Sequence, residues 1–479
     1  MKKNMNFMQL MLLAFFATAM SCGKKSDDSV KVVPPKVTPV KTDVTMWLTN
    51  PDQTQLLARQ NASLIFSSTT NQNTTINVDT TNTYQSIDGF GFCLTGRSAT
   101  LLNTLPTAQS NALIKELFST DSTSIGISYL RISIGSSDLS SHTFTYDDQG
   151  PDLNLQNFSI AEEQTDLIPV LKKIIAINPN IKILATPWSA PAWMKTNNSL
   201  SGGSLQSQYF SVYANYFVKY IQAMAGQGIT IDAITPQNEP LNPTNNPSMV
   251  MEAADEASFI GNNLGPALQS GGIKTKIIAY DHNCDRPDYP TTVLGNTTAA
   301  AFVDGSAFHL YAGDISALSQ VHNAYPAKNI YFTEQAITTY GTFSSDLNAH
   351  VNDLIVGATR NWSRNVLEWN LASDPIGGSQ TTVGCPMCIG ALTINPSNIT
   401  RNVSYYIIAH ASKFVRPGAV RIASDAISGL PNVAFKNTDG SKALIVLNNS
   451  GSAKTFNIKF KSKIVASTLN NGAVATYVW

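Results

Sequence analysis

From about residue 84 to residue 373 the chain repeats one alternation: a short apolar run, a polar loop, then a stretch with apolar positions three or four apart. Eight apolar runs have strand length and bounding turn residues: Tyr84–Phe92, Ser128–Ile134, Ile181–Trp188, Ile231–Gln237, Lys276–Tyr280, Ser306–Tyr311, Asn329–Thr333 and Asn365–Trp369. Helical spacing lies between them, as in Glu163–Asn178 and in Gln208–Gly226, which Gly226 and Gly228 close. Strands alternating with helices pair in parallel, because each connection has to cross back over the sheet. Eight such units in about 290 residues predict a (β/α)8 barrel. The competing arrangement, a doubly wound open sheet, wants a Gly-rich phosphate loop after its first strand, and the chain lacks one in the right form.

The tail changes period. From about Val420 the apolar positions alternate in short runs separated by Asp439-Gly440 and Asn449-Ser450-Gly451, which predicts a β-sandwich-like domain. The segment Val44–Asp79 is also strand-like and precedes the barrel, so it is expected to join the tail in one side domain built from both chain ends. The expected divisions are 44–83 for the N-terminal strands, 84–400 for the catalytic barrel and 401–479 for the C-terminal domain.

The first residues follow neither pattern. A basic MKKN precedes an apolar segment too short to span a bilayer, as in a signal peptide. It ends in Ala19-Met20-Ser21-Cys22, which resembles a bacterial lipoprotein signal over residues 1–22 with Cys22 as the lipidated residue. Residues 23–43 are polar and Pro-rich and read as a tether. The KKSDD after Cys22 resembles the signal that sends some lipoproteins outward. The expectation is an exported outer-membrane lipoprotein on the cell surface of a Gram-negative bacterium, touching membrane only through its lipid.

Composition narrows the partners. Charged residues make up 13% of the 479 residues and the formal net charge is zero, so nothing attracts nucleic acid or an anionic membrane surface. Beyond Cys22 the cysteines are Cys93, Cys284, Cys385 and Cys388. Cys385-Pro-Met-Cys388 lacks the second ligand pair of a zinc site, and is expected as a local disulfide or as a loop that packs both thiols.

In a (β/α)8 barrel the reactive groups stand at the C-terminal strand ends. Strand four ends in Asn238-Glu239-Pro240 and strand seven in Thr333-Glu334-Gln335; strand six carries His309 and Tyr311, and Trp188 and Trp369 end strands three and eight. Two carboxylates above a Trp-lined cup suit glycoside cleavage, in which one protonates the leaving oxygen and the other attacks the anomeric carbon or activates water. Taken singly, a strand-end Glu is more often a surface residue or a helix cap, and a lone Trp or His is more often core; the joint arrangement carries the reading.

Seven segments in order give a resemblance: IDGFGFCLTG (87–96), YLRISIGSSDLS (129–140), LATPWSAPAWMKTN (184–197), TPQNEP (235–240), FHLYAG (308–313), YFTEQA (331–336) and EWNLASDPIGG (368–378). The chain resembles glycoside hydrolase family 30, the glucosylceramidase-like family of retaining clan A barrels. The resemblance implies Glu239 as general acid/base and Glu334 as nucleophile. It implies Asn238 at the sugar 2-hydroxyl, Tyr311 beside the nucleophile, His309 lining the site, Trp188 and Trp369 walling the −1 sugar, and Arg131 beneath the nucleophile. It implies no cofactor and no metal. A protonated Glu239 is expected to have a pKa above that of Glu334. One position departs from the glucosylceramidase-like members: Gly96, followed by Arg97, stands where they have an Asp that contacts the outer hydroxyls of the −1 sugar. Losing that carboxylate opens space for a preceding sugar attached through O6, so the expected activity is an endo-β-1,6-glucanase acting on cell-surface glucan. The alternatives are another residue supplying the contact in an exo-acting β-glucosidase or glucosylceramidase-like enzyme, and a glycan-binding surface lipoprotein without catalysis.

Overall fold

The computed structural model describes residues 40–376, 385–395 and 398–479. The expected leader, the lipidation site Cys22 and most of the tether lie outside the described residues. Eight parallel strands close into a barrel: β1 (Gly89–Cys93), β2 (Tyr129–Ile134), β3 (Lys182–Pro187), β4 (Ala233–Ile234), β5 (Lys276–Cys284), β6 (Val303–Gly313), β7 (Asn329–Glu334) and β8 (Ser363–Asn370). β8 pairs with both β7 and β1, which completes the ring. Tyr129, Leu184, Ala233, Ile278, Ala307, Tyr331 and Leu367, from β2 to β8, form a buried cluster of their own. That cluster fills the barrel's interior, so the barrel is a packed core and not a pore. A larger apolar layer lies between the strands and the surrounding helices.

Local chemistry explains where the elements depart from expectation. The helix expected over Glu163–Asn178 begins at Leu167, because Pro169 has no N–H to give and belongs in a first turn. It buries Leu167, Ile168, Val170, Leu171 and Ile174 on one face. The run Tyr84–Phe92 is two strands and not one. Its beginning belongs to Thr74–Ser86, which pairs with Val420–Ser424 in the side domain; its end is β1. The break falls at Ile87-Asp88, just before Gly89, whose φ of 153° and closeness to Ser128 leave no room for a Cβ. β4 is regular for two residues only, but Asn238 N–H still donates to Pro187 O (2.8 Å), so the chain stays beside β3 up to Glu239.

The side domain is one hydrogen-bonded set of nine strands drawn from both chain ends. Thr45–Thr49 pairs with Val474–Val478, and Thr74–Ser86 lies between Val420–Ser424 and Lys454–Phe460. Met46, Ile76, Leu444, Phe456 and Tyr477 share its core. The helix Val403–Ser412, placed by the expected boundary at 400 in this domain, instead buries Val403, Ile407 and Ile408 in the barrel's apolar layer. Its His410 reaches the other way, hydrogen-bonding Thr49 (2.8 Å) and Thr476 (2.9 Å) on the two strands from opposite ends of the chain.

Candidate active site

Arg131 on β2 is completely buried and organises the barrel mouth. Its Nη1 donates to Glu334 Oε2 (2.6 Å); its Nη2 donates to Asn238 Oδ1 (2.6 Å) and to Asp281 Oδ2 (2.8 Å). The guanidinium carbon lies 5.0 Å from the ring centre of Trp188 and 5.8 Å from that of Trp369, and the two indoles are 5.5 Å apart. Arg131 Nε has no hydrogen-bond partner among the described residues, and a buried cation is tolerable only with compensation of this kind. Asp281 supplies most of it. It also accepts from the hydroxyls of Thr186 (3.1 Å), Thr235 (2.8 Å) and Thr333 (2.6 Å). Burial would raise its pKa, but Arg131 and His309 outweigh that and hold the carboxyl well below its usual range.

Glu239 stands where β4 stops. Its backbone is left-handed (φ 46°), its N–H donates to Asp281 O (3.0 Å), and Pro240 follows. A non-glycine in that region costs energy, and the surrounding bonds hold it there. The turn presents the carboxylate to His309 Nδ1 (3.2 Å from Oε1) and to Asn242 Nδ2 (2.8 Å from Oε2). His309 spans the site, with Nε2 3.1 Å from Asp281 Oδ1. Tyr311 O–H donates to Glu334 Oε1 (3.0 Å). One oxygen of Glu239, one of Glu334 and a nitrogen of His309 all lie within 4.8 Å of one another. The structure thus gathers Glu239, Glu334, Asn238, His309, Tyr311, Trp188, Trp369 and Arg131 in one place. Glu368, the other strand-end carboxylate, faces away and pairs with His350 Nδ1 (2.7 Å).

The protons are arranged differently from expectation. Burial would lower the pKa of His309, but Glu334, Asp281 and Glu239 surround it and raise it to about 9. Burial would raise Glu239, but the imidazolium beside it brings the carboxyl to about 2. Burial keeps Glu334 above its usual value, because His309 and Arg131 offset only part of that cost. The expected order, Glu239 above Glu334, is therefore reversed in this structure. The physical reason lies in the neighbours: His309 is hydrogen-bonded to Glu239, whereas His309 and Arg131 offset only part of the burial of Glu334.

The mouth opens into a cavity of about 540 Å³, bounded by Asn242 and Asn245 after β4, Asn283 on β5, Thr338 after β7, and Cys385, Met387 and Cys388 after β8. Asp138 also lines it. Burial, with Glu334 and Glu239 nearby, pushes its pKa to about 8. Gly96 packs against the loop that carries Asp138: a Cβ there would stand 3.1 Å from Ser140 Oγ. Arg97 next to it pairs with Asp374 (2.5 Å). Cys385 and Cys388 are joined in a disulfide, and Cys93 and Cys284 are buried free thiols.

Sequence reasoning missed Asp281 and Asn242 and did not single out Asp138. Asp281 follows the run ending at Tyr280, where the apolar signal stops. β5 instead continues to Cys284 through two left-handed residues, Tyr280 (φ 79°) and Asp281 (φ 66°). Its only trace in the sequence is a carboxylate directly after a buried strand, the signal that pointed to Glu239.

Comparison with known proteins identifies both domains. The TIM-barrel domain of glycosyl hydrolase family 30 matches residues 87–415, and the beta sandwich domain of the same family matches residues 418–477. An endo-1,6-beta-D-glucanase of Neurospora crassa is 37% identical over 416 residues, covering 82% of this chain and 85% of its own. A lysosomal acid glucosylceramidase of Mus musculus is 29% identical over 431 residues, covering 83% and 81%. Among solved structures, an endo-beta1,6-glucanase superposes with a TM-score of 0.86 at 37% identity, covering 92% of this chain and 99% of its own. SrfJ from Salmonella typhimurium gives the same TM-score at 26% identity, covering 91% and 99%. With both of its domains matched, the chain belongs to glycosyl hydrolase family 30 and is a glycosidase.

Proposed function

We propose that the chain is an endo-acting β-1,6-glucanase that cleaves with retention of configuration. The observation that carries the retaining mechanism is the closeness of Glu239 and Glu334, with carboxylate oxygens within 4.8 Å. That separation is well short of the ~6.5–9.5 Å by which inverting enzymes set their carboxyls apart to seat a water beside the sugar, and suits direct attack. Glu334, oriented by Arg131 and Tyr311, is the nucleophile. Asn238, fixed by Arg131, is placed for the sugar 2-hydroxyl. Glu239 is the acid/base and draws its proton from His309. A bound glycan displaces water around the Glu239–His309 ion pair, and loss of that hydration favours the neutral form with the proton on Glu239 Oε1, 3.2 Å away. Glu239 then protonates the leaving oxygen as Glu334 forms the glycosyl ester. Esterification removes one negative charge; Glu239 then takes a proton from the incoming water as the water oxygen bonds the anomeric carbon and the ester bond to Glu334 breaks, freeing the Glu334 carboxylate, and the proton passes back to His309.

The β-1,6 linkage is supported by the names of the relatives above and by Gly96, where a glucosylceramidase-like carboxylate is replaced. Time-resolved product analysis on linear β-1,6-glucan tests it. An early ladder of oligosaccharides is expected. Glucose released only from an aryl β-glucoside or glucosyl lipid would assign an exo-β-glucosidase instead. The leader sequence supports export with a lipid on Cys22. A mature protein whose intact mass places a free amine on another residue overturns that.

A further inference from the structure

The disulfide lies outside the reaction just described, yet it stands in the wall of the same cavity. Cys385, Met387 and Cys388 line it opposite Asn242 and Asn245. This segment is tied to the stretch that follows Glu334. Ile389 pairs with Ile337 and Cys388 with Thr338, while Thr339 N–H donates to Met387 O (2.9 Å). Thr338 also lines the cavity, and two residues beyond it stands Tyr340, which is 80% exposed. Its turn is closed by Gly341 N–H to Thr338 O (3.1 Å). An aromatic ring this exposed has not been placed by burial. Tyr340 does not itself bound the cavity, but it follows a residue that does, and an exposed Tyr offers an apolar face for the C–H side of a sugar and a wet hydroxyl at its edge.

We propose that Tyr340 and the Cys385–Cys388 clip form one rim platform, which binds glucose units of a β-1,6-linked chain beyond the reacting sugar. Tyr340 supplies the contact. The disulfide closes a short loop, limits its alternatives, and so fixes the paired segment from which Tyr340 projects. Both are specificity residues that hold the polymer, and neither touches the reacting atoms. The proposal rests on the β-1,6-glucanase reading.

Steady-state kinetics on two substrates test it: linear β-1,6-glucan, which needs the rim, and an aryl β-glucoside, which fills the reacting-sugar position and carries no further sugar beyond it. Tyr340→Ala is expected to raise KM for glucan about three- to tenfold, the worth of one aromatic contact, with kcat and aryl-glucoside turnover within about twofold of wild type. Tyr340→Phe should restore the glucan KM. The double variant Cys385→Ser/Cys388→Ser, and wild type treated with a phosphine reductant, should raise the glucan KM in the same direction. If wild type cuts β-1,6-glucan and these changes leave its KM unaltered, the platform is overturned and the function stands. An equal fall in kcat on both substrates also overturns it, since that marks a structural role. If wild type leaves β-1,6-glucan intact, the function falls and the platform with it.

Discussion

At the scale of single residues the site is a charge balance. Arg131 and His309 face Asp281, Glu239 and Glu334, all buried. Glu239→Gln keeps the shape and removes the transferable proton, so glucan hydrolysis should fall by about 10²–10⁴-fold while an aryl glucoside with a good leaving group loses much less in its first step. Unequal loss on the two substrates, read by burst kinetics, is the check. Asp281→Asn leaves Arg131 short of one counter-charge and should cost about 3–5 kcal/mol of stability, visible in urea denaturation. Asp138 gives a pH signature. Its folded pKa, about 8, lies above the unfolded carboxyl's, so the folded protein holds this proton more tightly. Its contribution to stability should therefore fall as pH rises from about 4 to about 8 and level off beyond. Asp138→Asn should flatten that part of the Tm-against-pH curve; an unchanged slope would contradict the assignment. Glu239, Glu334 and their lining were legible in the sequence because each ends an apolar run. Asp281 was not, because a bulge of left-handed residues carries no periodic signal.

At the scale of elements the barrel depends on strands that approach each other where no side chain fits. Gly91 on β1 is the sharpest instance: a Cβ there would stand 1.8 Å from Tyr129 O on β2. Gly91→Ala should prise the first two strands apart and yield little soluble protein, and the thermal melt of any folded fraction should be well below that of wild type. The alternation of strands and helices was legible because burial writes its period into each element. The boundary between barrel and side domain was not. Tyr84–Ser86 and β1 read as one apolar run, and the helix Val403–Ser412 is apolar enough for either domain. Only pairing decides such cases, and pairing partners lie hundreds of residues apart.

At the scale of the whole molecule His410 binds three parts together. Burial pushes its pKa down to about 3, so it is a neutral bridge between Thr49 and Thr476. The unfolded chain takes up this proton near pH 6.5 and the folded one does not. Its contribution is therefore complete above pH 6.5 and is lost as pH falls toward 3. His410→Gln should make acid unfolding less steep over that window, as followed by circular dichroism. Removing residues 40–86 should leave Val420–Ser424 and Val474–Val478 with unpaired edges, and the truncated chain should aggregate on size-exclusion chromatography.

The pairing of Thr45–Thr49 with Val474–Val478 also sets an order in time. A ribosome makes the first of these strands long before the second, and the barrel lies entirely between them. The side domain cannot close until Val474–Val478 has left the ribosome, so Thr45–Thr49 waits, unpaired, through the synthesis of the whole barrel. A chain terminated before Val474 would carry an intact set of catalytic side chains and still lack the strand that seals Thr45–Thr49 into its sheet.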